Sequence, residues 1–277
     1  MSKHNFQKLD VTVNDEYIER ISNLYIKQRS ETKFDYNSIE KSLLFQSHGF
    51  NGEQLEKIIT RNSVAKDINR DAGKTPAVIN DIYRSDLGEM LLTSFFEKKL
   101  PEKERFKIPY KNITNRELAQ LPGRGIDAVG YRLINDKIEL LIGEAKVSHQ
   151  VKNPPDVVDY TKDSMHTTQL KFKNNKQELL NKLSDYTRKL SGEDATKIGI
   201  ALLLIEFDKN DKYDLVFGCA LIRDINCVKV DDDYGKFFTQ KTDFDPHQIS
   251  FCIVNFNQSI ENTVDLFYNK VQEICSK

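Results

Sequence analysis

Three residues near the middle of the chain combine reactive side chains with a spacing that could bring them together. They are Asp127, Glu144 and Lys146, in the stretch GRGIDAVGYRLINDKIELLIGEAKVS from Gly123 to Ser148. The stretch reads as two apolar strands joined at Asn135-Asp136, residue types that tolerate the positive φ of a two-residue hairpin turn. With that turn, Ile134 faces Lys137, Leu133 faces Ile138, Tyr131 faces Leu140, Val129 faces Ile142, and Asp127 lies opposite Glu144. One face of the hairpin is then apolar until it ends in two carboxylates. Lys146, two residues beyond Glu144, emerges on the same face. Arg132 and Glu139 oppose each other on the other face, a charge pair suited to solvent. A one-residue slip would put the whole set out of phase.

Directly opposed Cβ atoms in a sheet lie roughly 4.5–5.5 Å apart. Two like charges that close repel, and partial burial raises the cost. A divalent cation between them offsets both penalties. Mg2+ held by carboxylate oxygens keeps positions for water and a phosphate oxygen. It lowers the pKa of the water and stabilises charge at phosphorus, and a neighbouring ammonium can orient the water or stabilise the developing anion. The residues therefore point to phosphodiester hydrolysis. An exposed charge cluster at a strand end is the plain alternative. The hairpin register, the apolar lead-in and the glycines Gly123 and Gly125 argue against it.

A third carboxylate, Glu89, belongs to RSDLGEMLLTSFFEKKL. This reads as a helix from about Ser85 to Leu100, ended by Pro101. On a helical wheel Glu89 falls between Leu92 and Phe96, inside the apolar sector. A carboxylate there needs a partner, which could be a metal, directly or through water, or a buried arginine. Gly88 suggests close approach of another backbone. After the hairpin, Gln169 could contact a scissile phosphate or a base, and Lys171, Lys173 and Lys176 could bind backbone phosphates. The same four residues would also suit a solvated helix face. His149 and His166 lack metal-ligand spacing and read as non-ligands.

The elements that must hold these residues alternate along the chain. Residues 1–80 read as a polar, mainly helical segment, with helices in NDEYIERISNLYIKQR behind an Asn14 or Asp15 cap and in NGEQLEKIITRN. Residues 81–277 read as one domain. It holds the Glu89 helix, a strand in RFKIPY, the hairpin, one helix over SMHTTQLKFKNNKQELLNKLSDYTRKL, and three strands in KIGIALLLIEF, YDLVFGCALI and ISFCIVNF. A final amphipathic helix, SIENTVDLFYNKVQEIC, follows. The first of the three strands is apolar on both faces, as a central strand should be. The pattern is that of a mixed α/β fold.

Composition limits the remaining options. The chain has 277 residues, 39% hydrophobic and 30% charged, with a net charge of -1. A core is affordable, and no global basic field advertises nucleic acid, so such contact needs a local patch or a partner. No apolar run approaches the ~18 residues of a membrane span, and MSKHNFQKLD lacks a signal-peptide core. Cys219, Cys227, Cys252 and Cys275 form no C-x-x-C pair, and read as reduced, mostly buried thiols of a cytoplasmic protein.

Glu89 on its helix, GIDAVG with Asp127, and GEAK with Glu144 and Lys146 together resemble the PD-(D/E)XK nuclease superfamily. The proline that usually precedes the aspartate is replaced by Ile126. The resemblance implies a restriction-endonuclease-like core, a central mixed sheet flanked by helices. It also implies Asp127 and Glu144 as ligands of Mg2+ (Mn2+ as substitute), the carbonyl of Ala145 as a further ligand, Lys146 as the catalytic lysine and Glu89 as the helix-borne acid. More narrowly, RSDLGEMLL, GRGIDAVGYRL and LLIGEAKVS resemble the HamA family, nuclease subunits of the Hachiman anti-phage defence system. This implies a DNA endonuclease acting with a helicase-like ATPase. A stand-alone restriction or repair nuclease, and a non-catalytic scaffold binding a partner or nucleic acid, stay open beside it.

Overall fold

The computed structural model describes residues 4–32, 47–64, 77–116 and 125–276. The loop expected at DAGKTPAV falls almost wholly outside them, as does Gly123. Six strands form one mixed sheet: β1 (Asn5–Val11), β2 (Lys107–Lys111), β3 (Ala128–Ile134), β4 (Lys137–Ser148), β5 (Tyr213–Arg223) and β6 (Gln248–Phe256). Their order across the sheet is β1-β6-β5-β4-β3-β2. From β1 to β4 neighbouring strands run parallel, whereas β3 and β2 are antiparallel additions. Every residue of β5 is buried, as its central place requires. The chain is thus an α/β protein with a central mixed sheet flanked by helices, the arrangement expected of a restriction-endonuclease-like core.

Helices cover both faces. On one side lie α1 (Asp15–Ser30), α3 (Ala77–Ser94) and α7 (Ile260–Cys275). Together with the helical turn Phe95–Lys99 that continues α3, they contribute Tyr25, Leu87, Phe96, Val264 and Phe267 to a core with Leu141, Ala220 and Val254 of the sheet. On the other side lie α4 (Met165–Asn174), α5 (Lys176–Thr187) and α6 (Gly192–Glu206). These contribute Phe172, Leu179, Leu183, Ile198 and Ala201 over Val129, Leu140, Ile142 and Phe217. The helix α2 (Gly52–Ser63) opens with a reciprocal capping box between Asn51 and Gln54, and Asn14 caps α1.

Four expectations are corrected. KIGIALLLIEF is not a strand but lies in α6. Its buried residues Ile198, Ala201 and Ile205 recur at helical spacing, and a continuous apolar run does not distinguish strand from helix. Topology decides it: β4 and β5 are parallel neighbours, which only a crossover connection can join. The single long helix after the hairpin is two, because Asn175 ends α4 and caps α5, its side chain accepting from the Glu178 N–H. The segment before residue 81 is not only helical, since β1 forms the sheet edge beside β6. Phe6 packs with one core and Leu9 and Val11 with the other, so neither face shows a clear period. Finally, Arg132 and Glu139 do pair, at 2.5 Å, but their side chains are only 15% and 9% exposed. Arg132 lies over the Phe106 ring, and Gln248 donates to Glu139, so this face is covered.

Candidate active site

The hairpin has the expected turn and register. Asn135 takes a φ of 44°, and the pairs run from Ile134↔Lys137 through Tyr131↔Leu140 and Val129↔Ile142 to Ala128↔Gly143. The ladder stops there. Asp127 is not seated against Glu144. Its N–H donates to the Gly143 carbonyl at 3.1 Å, and its carboxylate accepts from the Ala145 N–H at 2.8 Å. This turns Asp127 onto the main chain of the Glu144–Lys146 segment. Glu144 is buried, and its Oε1 lies 2.7 Å from the Lys146 ammonium, which is about one-third exposed.

Charge accumulates at this end of the hairpin. Burial raises the Asp127 carboxyl well above the carboxylate range, and the Glu144 and Glu89 charges raise it further. Burial alone would lower the Lys146 ammonium, but Glu144, Asp127 and Glu89 outweigh it and hold it above the ordinary lysine value. Glu89 comes from α3, whose Gly88 packs against Val147 and Ala145, with 3.1 Å and 3.5 Å left for a Cβ. Glu89 is 2% exposed, and burial, then the neighbouring Asp86, push it up to about 7. Its Oε1 accepts from Asn112 Nδ2 at 3.2 Å, and its Oε2 meets no hydrogen-bond donor among the described residues. The N–H of Asn112 donates to the Asp127 carbonyl at 2.8 Å. Asn112 therefore touches both the helix-borne acid and the segment carrying the hairpin-borne one.

The groups expected nearby are distributed unevenly. Gln169 of α4 is buried; its Nε2 donates to the Ile142 carbonyl at 3.1 Å, and its Oε1 has no partner among the described residues. It stands against the strand leading into Glu144 rather than on an open surface. Lys171 is exposed and paired with Glu178 at 2.7 Å, and Lys176 pairs with Asp208. Lys173 is half-buried in the last turn of α4. His166 is packed between the Phe237 and Phe244 rings.

Several contributors carried no sequence motif. Asn112 follows β2 with nothing to mark it. Tyr186 of α5 stacks on Tyr110 at 3.8 Å between centroids, and its hydroxyl accepts from the Ile126 N–H at 3.0 Å. Asp86 pairs with the buried Arg116. Its place one helical turn before Glu89 was a readable signal, because a second acid on the same apolar face also needs a partner.

Among the described residues, no group of three or more His, Cys, Asp or Glu side chains is placed to hold a metal ion by itself. The donor set on offer is two carboxylates, Asp127 and Glu144, with the main-chain carbonyl of Ala145. That set fits Mg2+, which is commonly bound through one or two carboxylates with waters and substrate phosphates completing its shell. The Glu89 Oε2, unpartnered among the described residues, is compatible with a cation as well.

Comparison with known proteins adds the decisive observation. Residues 3–271, nearly the whole chain, match the HamA family model. The chain belongs to the HamA family. No curated protein and no solved structure matches it. The HamA match spans β1 as well as the hairpin, so the edge strand and the acids lie within one family unit. Among the described residues no helix is long and apolar enough to cross a membrane.

Proposed function

We propose that the protein is a metal-dependent DNA endonuclease of PD-(D/E)XK type. In this reading it works in the cytoplasm as the effector of a Hachiman anti-phage defence system, with a helicase-like ATPase as partner. The observation that carries the reading is the convergence of Asp127, Glu144 and Lys146 at the open end of one hairpin. Asp127 is turned onto the Ala145 N–H, and Lys146 lies 2.7 Å from Glu144. Asp127, Glu144 and the Ala145 carbonyl would hold Mg2+, or Mn2+ in its place. When bound, the ion would supply an activated water and positive charge for the phosphate. Lys146 is close enough to orient that water or to stabilise charge developing on the phosphate. Glu89 adds negative charge behind the pair, held in place by Asn112.

The test is plasmid nicking with Mg2+, with and without the helicase, beside Glu144→Ala and Lys146→Ala. Cleavage by wild type that vanishes in both variants, with unfolding midpoints retained, is the expected result. Either variant cutting as fast as wild type would sink the assignment. The lack of a third side-chain ligand among the described residues favours one other reading, a nuclease-like scaffold that binds DNA or a partner without cutting it. A chain that takes up neither Mg2+ nor Mn2+, alone or with the helicase, would establish that reading.

A further inference from the structure

We infer that Lys182, set against the Gly125 turn, is a binding site for a backbone phosphate of the nucleic-acid strand entering the carboxylate pair. The inference rests on the nuclease reading above and names a substrate contact for it. Gly125 has a φ of +108°, which a residue with a side chain rarely adopts. A Cβ there would lie 2.5 Å from the Tyr186 hydroxyl and 3.4 Å from Lys182 Nζ. The Tyr186 hydroxyl is fixed by the Ile126 N–H, and its ring by the Tyr110 stack. The Lys182 ammonium thus lies beside the chain two residues before Asp127.

Its charge is uncommitted among the described residues. The acids one helical turn away on α5 are Glu178 and Asp185, and both are taken, by Lys171 and Arg188 respectively. No carboxylate pairs with Lys182 among the described residues. Lys189, two turns further along, lies 5.9 Å from the Tyr186 centroid and 5.7 Å from that of Tyr110. Two ammonium groups therefore flank the tyrosine that anchors the approach to Asp127. A half-buried cation beside an acidic site suits an anionic ligand that also reaches that site, and a phosphodiester does both. Of the lysines first expected to take this role, Lys171 and Lys176 are ion-paired; Lys173 has no ion pair among the described residues but sits in the last turn of α4, whereas Lys182 stands against the chain leading into Asp127.

The experiment is fluorescence anisotropy of a labelled short DNA duplex with the full chain. It is run in Ca2+ to suppress cutting, over a range of salt concentrations, for wild type, Lys182→Ala, Lys182→Arg and Lys57→Ala. Loss of one phosphate contact lowers the slope of log affinity against log salt by about 0.9. Lys182→Ala should weaken binding with that loss of slope, Lys182→Arg should retain both, and Lys57→Ala, on α2, should change neither, all with wild-type unfolding midpoints. Wild-type binding and slope in Lys182→Ala would overturn the inference and leave the nuclease reading standing. Absence of DNA binding by wild type would also overturn this inference, while the nuclease reading is decided separately by the nicking assay run with and without the helicase.

Discussion

Asn112 is the residue on which the geometry of the acids depends. It donates to Glu89 through its side chain and to the Asp127 carbonyl through its main chain. In the proposed metal site Glu89 stands behind the ligands, and outer groups that orient such a site typically cost 10–100-fold in affinity when lost. Asn112→Ala is therefore expected to weaken Mn2+ binding by about ten-fold or more, measured by titration without substrate. An unchanged isotherm would mean that Glu89 is positioned by something else. His166 supports a prediction about pH. Burial lowers its pKa below the ordinary histidine value, with Asp159, Lys236 and Asp243 as its charged neighbours. The unfolded chain then binds more protons than the folded one as pH falls below about 6.5. The stability contributed by neutral His166 is present above that pH and is lost as pH falls towards the folded-state value. His166→Gln should lose less stability than wild type between pH 7.5 and 5.5, read from denaturant midpoints. An equal loss would acquit His166. The three hairpin residues were legible because strand periodicity is two, so a turn fixes every later position. Asn112 and Tyr186 were not, since only the tertiary fold brings them to Asp127.

At the scale of elements, the sheet is held by close approaches that the sequence states only as glycines and isolated charges. Gly218 of β5 has no room for a Cβ: Leu141 Cδ1 would lie at 2.5 Å and the Phe96 ring at 2.8 Å. Gly218→Ala should overpack this contact and destabilise by about 1–3 kcal/mol, measured by denaturant unfolding. Arg223, at the end of β5, is fully buried. It donates to Asp233 at 3.2 Å, to the Gln150 carbonyl at 2.7 Å and to the Cys227 carbonyl at 2.8 Å. It ties the segment leaving β4 to the neighbouring strand, close behind Lys146. Arg223→Met would leave Asp233 buried without its counter-charge, at a cost of about 3–5 kcal/mol. The double variant Arg223→Met with Asp233→Leu should recover part of it. No recovery would mean that the carbonyl contacts, not the ion pair, carry the effect. Hairpin, caps and the terminal helix were readable from local chemistry. The identity of α6 was not, because eleven residues of mostly apolar sequence fit either element until the parallel order of β4 and β5 is known.

For the whole molecule, the first residues are part of the sheet rather than an appendage to it. β1 pairs with β6 along its length, and α1 packs Tyr25 against Phe267 and Tyr268 of α7. Arg29 of α1 also donates to the Ile113 carbonyl, next to Asn112. A chain beginning at residue 77 would expose one edge of β6 and one face of α7. It is expected to be insoluble or to lack a cooperative thermal transition. A truncated chain that unfolds cooperatively near the wild-type midpoint would show that the sheet is complete without β1. The sequence showed an α/β chain here but not this closure, because a short edge strand splits its few apolar residues between two faces.

The pairing of β1 with β6 also sets an order of events during synthesis. β1 leaves the ribosome long before its partner Gln248–Phe256. At roughly 5–20 residues per second, β1 waits on the order of ten seconds to a minute with one edge unmatched. Such an edge invites pairing with a stranger. The Lys8–Asp10 ion pair, at 2.8 Å on the strand, places charge where a neighbouring nascent chain would otherwise dock. The sheet that carries the acids is finished only once β6 has been made, so translation interrupted before β6 yields fragments without a completed sheet.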